Sequence, residues 1–376
     1  MTATLWPFIL GSAALGLDAY VIAGLIPAIT TSLDSTESLV GLGVAVFTGA
    51  YAIVGPLLAG AAGKRSRRGL IIALLIFTAA NLATAASASI TTFLSTRAVA
   101  GAAAGVYSPL ASAAAAHIVE ADQRGRALAL VLSGLALGTV LGVPIGLTLA
   151  SHLGWRATMV LITAVGTIAL LGIITRKTDL PSIPATPPAE RLRALTRRAN
   201  LLTVTVTFLI GIASIGLYTY LAVVLGTSPL KPHTTAAIWG WGLGGAISTF
   251  GIGRLVDRGN PFHLNIAALT GLTLALAGVT SGSPIILLAS VFVWGLCAWG
   301  YLTPQQHILL SSNPSDGATA VAANASANYL GGSVGALLGS LLLALPTGAS
   351  TLPWAAAAVA AVATFGQIMR TRMEHR

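Results

Sequence analysis

Apolar residues run along this chain in blocks of twenty or more, each closed by a short polar gap, almost from end to end. The blocks show no strict alternation of apolar and polar positions, so they do not read as barrel strands. A helix of about 20 residues crosses the ~30 Å hydrocarbon layer of a bilayer. Backbone groups in lipid must be satisfied internally, which a helix does by itself. The pattern therefore predicts twelve transmembrane helices, at 5–33, 38–62, 69–89, 93–117, 125–149, 155–175, 200–226, 234–257, 262–281, 284–309, 317–344 and 351–369. The ninth and twelfth carry the weakest signal, because Ala and Gly dilute it.

The polar gaps orient the chain. With the N-terminus in the cytoplasm, seventeen of the 20 Lys and Arg fall inside. They include Lys64, Arg65, Arg67 and Arg68 after the second span, and Arg254 and Arg258 after the eighth. Only Arg156 and Lys231 fall outside, and Arg97 lies within a span. Cytoplasmic loops carry the excess of positive charge, so this count predicts that both termini are cytoplasmic. The opening "MTATLWPFILGSAALG" has no Lys or Arg ahead of its apolar run, unlike a secretory signal. It reads as a retained first span with a brief cytoplasmic tail.

Composition agrees with a polytopic membrane protein. The chain is 55% hydrophobic and 8% charged, with mean hydropathy +0.85, where a soluble domain carries about 25% charged residues. The net charge of +10 sits in the short gaps and serves topology; no nucleic-acid partner is expected. The single cysteine, Cys297, lies in an apolar block and excludes an intrachain disulfide. No Cys/His cluster, phosphate-binding glycine loop followed by Lys-Ser/Thr, or Glu–His helix motif is present. No metal, cofactor or enzymatic activity is expected.

The longest gap, "RKTDLPSIPATPPAERLRALTRRAN" (Arg176–Asn200), divides the chain into six-span halves, 1–175 and 200–376, with 176–199 as a cytoplasmic linker. Its basic end reads first as a solvated charge run, and second as a short helix on anionic headgroups. The halves echo each other. Gly134, Gly138, Gly142 and Gly146 recur every four residues in span 5, and Gly331, Gly335 and Gly339 do so in span 11. Small residues at that spacing let a neighbouring backbone approach closely. Duplicated halves are the architecture of carriers that rock about a site near the midplane.

Two charged residues of opposite sign lie well inside the spans, Asp18 in span 1 and Arg97 in span 4, the latter about one turn from the outer surface. A carboxylate there costs roughly 2.5–3.5 kcal/mol on insertion scales, so such groups face a bundle interior or a wet cavity. A paired arginine favours the charged acid and desolvation the neutral one. Two readings follow: an acid that takes and loses a proton, or a static pair holding two helices together.

At this point the chain resembles drug:proton antiporters of the major facilitator superfamily. Asp18 and Pro27 in "LDAYVIAGLIP", Arg97 and Gly101 in "FLSTRAVAGAAAG", and Gly138, Gly142 and Pro144 in "GLALGTVLGVPIG" are similar to that group's motifs in helices 1, 4 and 5. "GWR" at Gly154–Arg156 is similar too. The resemblance implies an all-α membrane fold of two pseudo-symmetric six-helix bundles. It also implies alternating access and export coupled to proton entry, with Asp18 as proton carrier and Arg97 as its partner. The second-half loop keeps the family's Gly-x-x-x-Asp-Arg as Gly253, Asp257 and Arg258, whereas the first half has Lys64, then Arg65, where the aspartate belongs. Lys64, Arg65, Asp257, Arg258, Gly138, Gly142 and Pro144 are thus the implied conformational switch, and Lys64 cannot act as the aspartate would.

By the same analogy Tyr51, Tyr107, Tyr218, Trp239, Trp299 and Tyr301 line a central cavity, with ordinary packing as the competing reading for each. Asn324 and Asn328, four apart on one helix face, are further candidates for substrate contact. With no ATP-binding element, uphill transport must draw on an ion gradient. One proton crossing ~100 mV yields about 2.3 kcal/mol, roughly a fiftyfold concentration of a neutral solute. The expected function is proton-coupled efflux of a small, largely apolar compound of drug or antibiotic type from a bacterial cytoplasmic (inner) membrane, by a monomer. Its partners are a small-molecule substrate, protons and the lipid bilayer. A sugar or metabolite exporter on the same fold is the alternative.

Overall fold

Short polar gaps set the helix ends. Thr36 Oγ1 accepts a hydrogen bond from the Leu39 N–H at 3.2 Å and starts one helix. Ser89 and Thr92 form a reciprocal capping box at another. Asn260 caps the helix that Pro261 opens. Gly154, at φ +82°, is the one residue between two helices; that backbone conformation is costly for a residue with a Cβ.

The computed structural model describes residues 2–176, 198–312 and 317–374. Most of the connection over 176–199, with Lys177, Arg191, Arg193 and Arg197, and the terminal Arg376 lie outside the described residues. The chain divides into two units, Met1–Ala185 and Thr186–Arg376.

In the first unit, α1 (Thr2–Ser32), α2 (Glu37–Gly63), α3 (Ser66–Ala85) and α4 (Ile90–Ile118) precede α5 (Arg124–Leu153) and α6 (Trp155–Ile174). In the second, α7 spans 198–226 with a break at Tyr220. It is followed by α8 (Thr234–Arg258), α9 (Pro261–Gly278) and α10 (284–312, interrupted at Tyr301). The last two are α11 (Gly317–Leu343) and α12 (Gly348–Glu374). The twelve blocks of the sequence thus correspond to twelve helical rods among the described residues, and no strand occurs among them.

The units repeat each other's packing. In the first, α2 lies along α4, α3 along α4 and α6, and α1 along α5 and α6. In the second, α8 lies along α10, α9 along α10 and α12, and α7 along α11 and α12. The glycine runs are where two of these pairs close. A Cβ on Gly138 would meet the Ala13 carbonyl, and one on Gly335 would meet the Ile212 carbonyl, so these backbones touch with no side chain between them. The repeat is imperfect at one point. The wider π turn lies in α5 in the first unit (Gly138–Gly142) and in α7 in the second (Gly211–Ile215), on opposite members of the equivalent pair.

Eleven helices among the described residues are long and apolar enough to cross a membrane. The rod that falls short is α8, rather than the ninth or twelfth; its Gly, Thr and Trp lower the hydropathy while its length is ample.

Candidate functional site

Asp18 lies past the middle of α1, within reach of side chains from α4 and α3. Its Oδ1 is 2.5 Å from Arg97 Nη1 of α4, and the pair is buried at 0% and 1% exposure. Asn81 Nδ2 of α3 donates to Asp18 Oδ2 at 3.2 Å, and Arg97 Nη2 to the Asp18 carbonyl at 3.4 Å. The Arg97 guanidinium also lies over the Phe47 ring of α2, 4.3 Å from its centroid. Four helices therefore meet at one buried ion pair.

Helix α4 begins at Ile90, so Arg97 stands seven residues in, about two turns and ~10 Å from its start. Asn81 is the partner that the sequence reading passed over. Its signal was available: an amide in mid-span must find a hydrogen-bond partner, and the strongest acceptor in the same half is Asp18. Arg97 Nε and Asn81 Oδ1 have no hydrogen-bond partner, so donor and acceptor capacity remains beside the pair.

The other expected residues divide. Tyr107 is fully buried, its hydroxyl against Gly11 of α1 and without a hydrogen-bond partner. Tyr51 is half-buried on α2, its backbone against Gly105. In the second unit Tyr218 lies 4.2 Å from the Trp241 ring, and Trp294 and Trp299 stand edge-on to Trp241, both at 6.3 Å. The Trp294 indole donates to Ser214 Oγ at 2.8 Å. Trp241 and Trp294 were not expected, whereas Trp239 is 46% exposed and takes no part. Two residues along a helix are about 200° apart, so Trp239 and Trp241 cannot share a face.

Tyr301 donates from its hydroxyl to Asn328 Oδ1 at 2.9 Å, and its carbonyl accepts from Asn265 Nδ2 at 2.9 Å. Asn324 is 1% exposed, and neither atom of its amide has a hydrogen-bond partner. Nearer the end of α12, Arg370 is fully buried, with Nε on Thr203 Oγ1 at 2.9 Å and the guanidinium over Phe262. Arg370 lies just past the end of the twelfth apolar block, so it adds a buried charge to the unit at a helix end. Helix α12 continues to Glu374, which carries Arg370 on its last turns against α7 and α9.

Of the implied switch residues, Lys64, Arg65, Asp257 and Arg258 are exposed and make no ion pair among the described residues. Gly138 and Gly142 bound the π turn of α5, and Pro144 follows it. A proline lacks the N–H for the helical bond four residues back, which matches a helix whose ladder is already shifted.

Two units of six helical rods among the described residues, each built on the same pairing scheme and eleven of the twelve long and apolar enough to cross a membrane, define a multi-pass membrane protein. The model of the Major Facilitator Superfamily matches residues 8–336, and the chain belongs to that family. It is 31% identical over 364 residues to a chloramphenicol resistance protein of Streptomyces lividans, covering 93% of this chain and 91% of that one. It is 26% identical over 378 residues to the inner membrane transport protein YdhP of Escherichia coli (strain K12), covering 97% and 95%. The solved structure of a D-xylose-proton symporter shares the fold, with a TM-score of 0.80 at 18% identity over 96% of each chain. The chain is a transporter of small molecules and not an enzyme.

Proposed function

We propose that this transporter exports a small, largely apolar compound in exchange for protons, with Asp18 as the proton-carrying group. The observation that carries the reading is the Asp18–Arg97 ion pair, fully buried and tied by Asn81 to a third helix. Protonating Asp18 in place would leave the Arg97 charge buried and uncompensated, a loss of roughly 3–5 kcal/mol. Proton uptake is therefore bound to a rearrangement that gives Arg97 water or another partner. That is the link a coupled carrier needs: each ligand biases the same two-state equilibrium. The chloramphenicol resistance relative supports a drug-type cargo, and the YdhP relative supports a bacterial inner-membrane location.

Chloramphenicol in everted vesicles is the first probe, followed by a panel of apolar antibiotics. The wild type is expected to accumulate the compound when an inward-acid gradient is imposed. Asp18→Asn should abolish that accumulation while preserving exchange of labelled for unlabelled compound. Full gradient-driven accumulation by Asp18→Asn rejects the mechanism. One observation favours a more polar cargo, such as a sugar or metabolite: the unpartnered buried amide of Asn324. A sugar panel in the same vesicles, with Asn324→Ala beside the wild type, separates the two.

A further inference from the structure

In the first unit, α2 and α3 both lie along α4 and touch each other little. Between them runs a cavity of about 800 Å³. Small residues of α4, Ala102 and Ala103, form part of its lining, together with exposed apolar side chains: Leu58 of α2, Ile72 and Ile76 of α3, and Val99 of α4. One end is different. There the lining is Lys64, Arg65 and Arg68, all exposed and none ion-paired among the described residues.

We infer that this cleft holds one anionic phospholipid, its headgroup on Lys64, Arg65 and Arg68 and an acyl chain along Ile72, Ile76 and Val99. Charge complementarity argues for the headgroup: three cations crowd a helix turn that supplies no neutralising carboxylate among the described residues. Length argues for the chain. Arg65 to Ile76 is eleven residues of α3, or about 16 Å of helix, close to half of a ~30 Å hydrocarbon layer. A neutral lipid would fill the apolar cleft and leave the cations without a partner, and a soluble anion would leave the cleft empty. The lipid braces α2 against α3, two helices that touch each other little beyond the turn that carries Lys64 and Arg65. The inference does not depend on which compound is transported or on its coupling.

The test uses the full-length protein in nanodiscs of phosphatidylcholine doped with phosphatidylglycerol carrying a diazirine on its acyl chain. Photocrosslinking and peptide mapping should concentrate on Ile72, Ile76 and Val99, above exposed controls such as Leu132 and Ile168. Unlabelled phosphatidylglycerol should compete, and phosphatidylcholine or inorganic phosphate should not. Each cation near an anionic headgroup is worth about fivefold in binding, so Lys64→Gln with Arg65→Gln and Arg68→Gln should lose about a hundredfold in competition strength. The variant Lys64→Arg, Arg65→Lys, Arg68→Lys should retain it. Ala102→Phe, which fills the cleft and keeps the charges, should lose the acyl crosslinks. Even crosslinking over the lipid-facing surface, or equal competition by phosphatidylcholine, overturns the proposal in the wild type alone, whether or not any variant folds.

Discussion

At the scale of single residues, Asp18, Arg97 and Asn81 form a set whose members differ in what their loss leaves behind. Arg97→Gln strands a buried carboxylate, and removing one partner of a buried pair costs roughly 3–5 kcal/mol. Adding Asp18→Asn to Arg97→Gln removes the stranded charge as well. Replacing both partners of a buried interaction comes much closer to neutral. The double variant should therefore unfold at a higher temperature than Arg97→Gln alone, read by thermal unfolding of the purified protein. Asn81→Ala removes one hydrogen bond to a charged group and should cost about 1.5–3 kcal/mol. If the double variant is no more stable than the single one, the two charges are not holding each other. Asp18 and Arg97 were legible in the sequence because a charge within an apolar block has few explanations. Their geometry was not legible, because which helix faces meet depends on packing that no single block records.

At the scale of elements, glycine spacing announced close helix contacts, and the contacts are unequal. A Cβ at Gly138 would sit far inside contact distance of a carbonyl of α1, which cannot move without bending that helix. At Gly142 the nearest neighbours are side-chain atoms of Leu17, at 3.1 and 3.2 Å, which can yield. Gly125 and Gly253 meet nothing within 4 Å. Gly138→Ala should therefore destabilise by about 1–3 kcal/mol as an overpacked core does, and Gly142→Ala by less. Gly125→Ala and Gly253→Ala should be neutral or slightly stabilising, since alanine is the better helix former. Thermal unfolding of the four variants ranks them, and equal effects at Gly138 and Gly253 would contradict the packing. The π turns in α5 and α7 left no sequence signal of their own; they record how each helix shifts its ladder to let a neighbouring backbone in.

At the scale of the whole molecule, the number and direction of the crossings rest on the least hydrophobic rod. Helix α8 has 25 residues, about 37 Å of helix, which is ample to span, yet its composition alone does not mark it as a span. What commits it is its partner. Gly244 and Gly245 of α8 press against the Phe292 carbonyl and the Trp299 ring of α10, and Gly295 of α10 presses against the Trp241 carbonyl. Contacts this close between two rods are how helices associate in lipid, where no hydrophobic force draws them together. The block at 234–257 is legible in the sequence by its length and polar flanks, while its mean hydropathy alone falls short. The consequence is a strict labelling pattern in a Cys297→Ser background. Ala88→Cys and Gly282→Cys should react with a membrane-impermeant maleimide in intact cells, and Gln123→Cys and His263→Cys only after permeabilisation. Full reversal of the pattern would overturn the orientation drawn from Lys and Arg. If α8 did not cross, Gly282 and His263 would exchange behaviour while Ala88 and Gln123 kept theirs, leaving the two units with unequal numbers of crossings.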